Sequence, residues 1–154
     1  MELMDIPLVK HIAKKNKPII LSRGMSELDD IKKAIDACIS VGNEEIIILH
    51  CISEYPLSYE KANVRAVKSI KDEFDFLTGI SDHSPGSVIP AASVALGAKV
   101  IEKHVILHKK LGGPDSQFSL SIEEFDDMVK TVPNTENSSG VGGFDLPAVV
   151  TNQN

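Results

Sequence analysis

The chain has 154 residues, of which 42% are hydrophobic and 25% charged, and its formal net charge is −6 at pH 7. This acidic balance argues against a nucleic-acid partner, since binding to phosphates needs a basic face. No apolar run approaches the roughly 20 residues that cross a bilayer, and the first basic residues follow the first apolar ones, the wrong order for a secretory signal. The sequence therefore predicts a cytoplasmic protein with no nucleic-acid or membrane partner.

Along the chain, short apolar runs alternate with longer amphipathic segments. The apolar runs predict four buried strands, at 18–22, 45–50, 75–80 and 99–104. Apolar residues at helical spacing predict an opening helix at 6–15 and four further helices, at 26–40, 59–71, 88–96 and 122–130. Ser26 and Ser121 are the predicted N-caps of the second and last helices, because a serine side chain can accept a hydrogen bond from a free backbone N–H there.

Strand–helix repetition predicts right-handed βαβ units around a parallel sheet, and therefore an α/β fold. A complete (β/α)8 TIM barrel has eight strands and typically about 250 residues, so four βα units amount to half of one barrel. We expect residues 1–132 to form this partial TIM-barrel domain. The segment 133–154 is rich in Asn, Ser and Gly, and we expect it to be a flexible tail.

Polar side chains collect at the carboxyl ends of the predicted strands, the edge at which parallel α/β sheets bind ligands. His83 follows the third strand and His104 ends the fourth. Neighbouring strands lie roughly 4.8 Å apart, so the two imidazoles could hold one metal ion; the alternative is that both are structural residues. His50, at the end of the second strand, could add to such a site, but the pattern favours a core-facing residue with a backbone partner. His11 and His108 are predicted to be exposed.

Asp115 follows a Gly-Gly-Pro turn beyond the fourth strand. Glycines at such a turn allow the backbone to approach a ligand closely. The Asp115 carboxylate could bind sugar hydroxyls or support a histidine, although the pattern alone favours a plain turn with Asp115 as its cap.

Six motifs along the chain occur together in the order and spacing of one enzyme family. They lie at 19–25, 50–56, 79–84, 95–98, 101–104 and 113–115. Through them, residues 2–130 resemble the C-terminal half of the barrel of the sialic acid synthase family. The resemblance implies condensation of phosphoenolpyruvate with an open-chain amino sugar to a nine-carbon 2-keto acid. It also implies one divalent ion, Mn²⁺ or Mg²⁺, bound by His83 and His104.

The resemblance further implies roles for individual residues. Glu2 aligns with the family's general acid or base, a role that suits a carboxylate aimed into the site. Ser53 and Ser81 match positions that contact phosphoenolpyruvate. Tyr55 matches a residue that lines the sugar site, and Asp115 matches a contact to sugar hydroxyls.

Residues 112–120 and the opening motif around Glu2 are more similar to pseudaminic acid synthases than to N-acetylneuraminate synthases. Pseudaminic acid is therefore the expected product, with N-acetylneuraminate or legionaminic acid synthase as alternatives. The family's lysines and first glutamate, which hold phosphoenolpyruvate, have no counterpart in this chain, so we expect the isolated chain to be inactive. A non-catalytic, metal- and sugar-binding half-barrel module is the other hypothesis. Two open sheet edges and an uncovered apolar face also predict a homo-oligomer.

Overall fold

A computed structural model of the chain describes residues 2–140. Its sheet has four parallel strands in the order β1-β2-β3-β4: β1 (Ile19–Ser22), β2 (Ile46–Cys51), β3 (Leu77–Asp82) and β4 (Val100–Lys103). The α-helices are α1 (Ile6–Ala13), α2 (Leu28–Ile39), α3 (Arg65–Phe74), α4 (Val88–Ala95) and α5 (Ile122–Ser139). Short 3-10 helices occupy Glu2–Met4, Tyr59–Lys61 and Lys109–Leu111. The predicted α/β fold with four βα units is confirmed.

The helices cover one face of the sheet, and two hydrophobic cores lie on that face. Ile19 and Leu21 of β1 and Ile46 and Ile48 of β2 share one hydrophobic core with buried residues of α1 and α2. Ile80 of β3 belongs to a second core beneath α3 and α4. Because successive side chains alternate across a strand, the residues between these face the opposite side, which is the interior in a (β/α)8 barrel.

The N-cap of α2 is Glu27, so the prediction of Ser26 was wrong. Asp30 Oδ2 accepts a hydrogen bond from the Glu27 N–H at 3.2 Å, one arm of a capping box. Ser26 is buried, and its own N–H donates to the carbonyl of Arg23 at 2.8 Å. That bond places Ser26 in the turn after β1, one residue too early to cap the helix.

The N-cap of α5 is Ser121, as predicted, but this helix is longer than the pattern indicates. It has 18 residues and runs through Pro133 to Ser139. Contacts with the segment between α4 and β4 stabilise the extra turns: Glu136 Oε1 lies 2.5 Å from Lys99 Nζ. The first residues of the predicted tail are therefore helical, and 141–154 lie outside the described residues.

The predicted helix at 59–71 is divided in two. Asn63 has a φ of 44°, a left-handed conformation that ends the 3-10 helix at Tyr59–Lys61 before α3 begins. The helix α3 then extends to Phe74, three residues beyond the predicted end. Within residues 2–140, none of the helices combines the length and apolar character that a membrane span requires.

Candidate active site

The candidate site lies at the carboxyl ends of β3 and β4, which are neighbours in the sheet. Ser81 lies opposite Glu102 in the parallel register, and each residue stands two positions before a histidine. Because alternate residues of a strand share a face, His83 and His104 extend this pair on the interior face.

The segment after β4 is held by backbone pairing with a later part of the chain. Val105 forms a parallel bridge with Leu120. The Leu120 N–H donates to the carbonyl of His104 at 2.8 Å, and the Ile106 N–H donates to the carbonyl of Leu120 at 2.8 Å. This pairing brings Phe118 back over the two histidines.

Four rings pack together at this place: Tyr55, His83, His104 and Phe118. The ring centroids of the two histidines are 5.4 Å apart. Tyr55 lies 4.2 Å from His83, and Phe118 lies 5.0 Å from His104 in an edge-on arrangement. Packing on both sides therefore restricts the rotation of both imidazoles.

The orientation of His83 is further fixed by a backbone hydrogen bond. Its Nδ1 lies 3.1 Å from the carbonyl oxygen of Ile52. A carbonyl can only accept, so Nδ1 carries the hydrogen and the lone pair of the neutral ring is on Nε2. Burial lowers the pKa of His83, more than the Ile52 bond raises it. Burial, the larger effect, favours the neutral ring, and the Ile52 bond leaves Nε2 of that neutral ring available as a ligand.

The Asp115 carboxylate lies near His104. The Asp115 Oδ2 is 3.7 Å from His104 Nδ1. Both side chains are partly exposed, at 37% and 56%, so a ligand can reach them from solvent. The role of Asp115 toward a sugar stays a prediction.

The donor set fits one divalent ion. Imidazole nitrogens bind such ions at about 2.0–2.1 Å, and the 5.4 Å between ring centroids allows one ion to contact both rings. Within residues 2–140, no three His, Cys, Asp or Glu side chains lie close enough together to hold a metal ion between them. Oxygens of water or substrate could complete the coordination sphere, as in metal sites with open positions.

The two predicted serines differ in exposure and in their partners. Ser81 is buried, and its Oγ donates to Glu102 Oε1 at 2.6 Å. Ser53 is exposed and hydrogen-bonds Tyr55. Burial raises the pKa of Tyr55, with Cys51 and Asp115 acting in the same direction and the Ser53 bond opposing them.

Glu2 lies away from the ring cluster. It begins the first 3-10 helix and lines a cavity beside β1, together with Leu21 and Ser22. The strand β2 separates β1 from the histidine-bearing strands. A hydrogen bond to its own backbone lowers the pKa of Glu2, so the carboxylate is ionised at neutral pH.

The remaining histidines are where the sequence predicts them. His50 is buried, and its Nε2 lies 2.8 Å from the carbonyl of Ala62, which confirms a core-facing residue with a backbone partner. His11 and His108 are exposed, as predicted.

Two residues of the site were missed by the sequence reasoning. Glu102 could have been found, because strand alternation places it on the same face of β4 as His104; its pairing with Ser81 needed the register of β3 and β4. Phe118 has no local signal: its contact with the histidines depends on the return of the chain to pair at Leu120.

Comparison with known proteins identifies the family in which this site occurs. A model of the NeuB family matches residues 1–143. The chain belongs to the NeuB family. The predicted resemblance to sialic acid synthases is thereby confirmed.

Three curated relatives of this NeuB-family chain illustrate the match. An uncharacterised protein of Methanocaldococcus jannaschii is 45% identical over 141 residues. Two Campylobacter jejuni enzymes, an N,N'-diacetyllegionaminic acid synthase and a pseudaminic acid synthase, are 41% and 40% identical over 143 and 145 residues. The matches cover 92%, 92% and 94% of this chain but 42%, 43% and 42% of the relatives. The chain thus spans less than half the length of these relatives.

A solved structure gives the same picture for the fold. The N-acetylneuraminic acid (sialic acid) synthetase of Leptospira borgpetersenii serovar Hardjo-bovis superposes with a TM-score of 0.91 at 31% identity. The superposition covers 97% of the NeuB-family chain and 52% of that structure. The four βα units therefore form half of a TIM barrel, as predicted.

Proposed function

We propose that this chain supplies the metal- and sugar-binding half of a cytoplasmic sialic-acid-type synthase. The complete barrel would condense phosphoenolpyruvate with an open-chain amino sugar, release phosphate and form a nine-carbon 2-keto acid. The His83–His104 pair carries the proposal, because two imidazoles with centroids 5.4 Å apart meet at neighbouring strand ends within a NeuB-family chain.

The proposed ion is Mn²⁺ or Mg²⁺, which when bound would polarise the sugar aldehyde as a Lewis acid. His83 suits the task of holding it, since the Ile52 carbonyl fixes the tautomer that leaves Nε2 free. Asp115, 3.7 Å from His104, is placed to support that ring or to accept hydrogen bonds from sugar hydroxyls.

Other side chains would position the substrates. Ser81 is oriented by its 2.6 Å hydrogen bond to Glu102 and is the proposed contact to phosphoenolpyruvate, with Ser53 as a second contact. The Tyr55 ring, packed on His83, forms one wall of the sugar site. Glu2, ionised at neutral pH, is the proposed proton-transfer group on the β1 side.

Pseudaminic acid is the proposed product. Residues 112–120 support it, as the sequence resemblance indicates. Overall identity does not discriminate, because the legionaminic and pseudaminic acid synthases of Campylobacter jejuni are 41% and 40% identical to the chain. Turnover with the amino-sugar precursors of the three candidate acids would rank them directly.

A chimera tests the proposal. In the Campylobacter jejuni pseudaminic acid synthase, the matching segment is replaced by residues 1–143 of this chain, and phosphate release from phosphoenolpyruvate and amino sugar is measured. We expect turnover. His83→Ala or His104→Ala should lower kcat/KM by about 10³-fold, because metal polarisation contributes several kcal/mol and each 1.36 kcal/mol is tenfold.

His11→Ala and His108→Ala are the matched controls, since both imidazoles are exposed. Each should leave kcat/KM within about twofold, as surface substitutions usually do. A folded chimera whose turnover is unaffected by His83→Ala and His104→Ala would contradict the proposal.

The isolated 154-residue chain should release no phosphate in the same assay. The resemblance places the phosphoenolpyruvate-binding lysines on strands that this chain does not contain. Turnover by the isolated chain would contradict this part of the proposal, and ion binding without turnover in the chimera would favour the non-catalytic module.

A further inference from the structure

A buried ion pair lies directly behind the two histidines. Asp82 pairs with Lys103 in the register of β3 and β4, and each residue immediately precedes a histidine. Lys103 Nζ is 2.5 Å from Asp82 Oδ2, and the side chains are 1% and 0% exposed. Since neighbouring residues of a strand point to opposite faces, this pair lies on the helix-covered face while the histidines occupy the interior face.

The same two charges also fix the backbone that follows His83. Asp82 Oδ1 accepts from the Ser84 N–H at 2.9 Å, and Asp82 Oδ2 accepts from Ser84 Oγ at 2.9 Å. Lys103 Nζ donates to the Ser84 carbonyl as well. One ammonium group on β4 therefore holds the residues on both sides of His83.

The ion pair's contribution to stability is a weak explanation for its presence. Removing two charges from water is costly, and a buried pair can often be replaced by apolar residues without loss of stability. The contacts instead connect the two strand ends at the positions next to both histidines. An ion pair with short, directional bonds restricts the sliding of β3 relative to β4, which would change the distance between the imidazoles.

We propose that Asp82, Lys103 and Ser84 are positioning residues that set the separation and orientation of His83 and His104. They act through the backbone and contact neither ion nor substrate. The inference rests on the proposed function for its consequence in metal binding, but its structural content, the placement of the His83 ring, can be measured without metal.

The test uses the full chain carrying Asp82→Asn together with Lys103→Met. The double change removes both charges and leaves neither buried alone, and Met is unbranched and adapts to the space left by Lys103. We expect a cooperative thermal transition and Mn²⁺ affinity lowered at least about tenfold, the size usual for groups that support metal ligands. Titration followed by electron paramagnetic resonance measures that affinity.

The second readout is the imidazole nitrogen NMR spectrum of the metal-free chain. In the wild type, His83 should show a protonated Nδ1, as its contact with the Ile52 carbonyl requires. In the double variant, this signature should be lost or mixed with the other tautomer. A purely stabilising ion pair would leave both the spectrum and the affinity of the folded variant unchanged.

Two further variants complete the design. Ser84→Ala removes one hydrogen bond to Asp82 and leaves the ion pair, so it should shift the His83 nitrogen signals by less than the double variant does. It also keeps the inference testable if the double variant fails to fold. Lys68→Met with Asp72→Asn is the matched control: it removes an exposed ion pair of 2.7 Å on α3 and should change neither readout.

The outcomes separate the two proposals. Unchanged His83 signals and affinity in the folded double variant, or in Ser84→Ala, would overturn the positioning role alone. A wild-type chain that binds no Mn²⁺ would overturn the metal assignment of the proposed function, while the metal-free spectra would still decide the placement of His83.

Discussion

Two regions of the sheet contrast with each other: the carboxyl ends of β3 and β4, and the outer edge of β1. They differ in how many of their side chains find a partner within the described residues. At the first, Ser81, Asp82 and His83 all form hydrogen bonds within the chain. At the second, Ile20 and the α1 residues Leu8 and Ile12 are 51%, 36% and 45% exposed. The chain can thus preorganise its polar site by itself, whereas the apolar side of β1 needs another surface to be buried.

The largest effect is expected at Gly79 of β3, which has no room for a side chain against β4. A Cβ there would lie 2.2 Å from the backbone oxygen of Val100 and 2.8 Å from Leu49 Cδ2. The carbonyl belongs to the strand ladder and cannot move away, so Gly79→Ala should lower the free energy of unfolding by about 3 kcal/mol. Denaturant titration measures this.

Ser22→Ala on β1 is the corresponding control, because Ser22 is exposed. It should change the unfolding free energy by less than about 0.5 kcal/mol. Equal denaturation midpoints for Gly79→Ala and Ser22→Ala would show that the β3–β4 contact is not the tighter part of the sheet.

An intermediate effect is expected on self-association through the β1 side. Each buried isoleucine contributes about 2 kcal/mol, so Ile12→Lys with Ile20→Lys should weaken association of the wild-type chain more than tenfold. Sedimentation velocity at several concentrations measures the change. Val129→Lys, at a site 50% exposed on α5, is the control, and a wild-type chain that stays monomeric at high concentration would contradict the predicted homo-oligomer.

The smallest effect concerns pH. Burial lowers the pKa of His50 below the ordinary value for histidine, about 6.5, so near that pH the unfolded chain binds more protons than the folded one. Stability should therefore fall as the pH drops through about 6.5. His50→Gln keeps a donor for the Ala62 carbonyl without titrating and should reduce this fall, while His11→Gln should not. Identical pH profiles of the melting temperature for His50→Gln and wild type would contradict the assignment.

Local patterns were sufficient for most of the fold. Strand and helix order follows from apolar spacing, and the position of His50 was predicted because a lone strand-end histidine is usually satisfied by the backbone. The proximity of His83 and His104 could be predicted because adjacent parallel strands bring their ends together.

Features that depend on distant contacts could not be read from the sequence. The extension of α5 past Pro133 depends on contacts with the segment between α4 and β4, including the Lys99–Glu136 ion pair. The Asp82–Lys103 pair needed the register of β3 and β4, and the place of Phe118 needed the bridge between Val105 and Leu120. The roles of Glu2, Ser53, Ser81, Tyr55 and Asp115 remain predictions from the resemblance.

Titration of Mn²⁺ into the 154-residue chain, followed by electron paramagnetic resonance, tests the central claim most directly. The account predicts one bound ion per chain, lost in both His83→Ala and His104→Ala and retained in His11→Ala and His108→Ala. Binding that survives the loss of both His83 and His104, or no binding by the folded wild-type chain, would contradict a metal centre at this histidine pair.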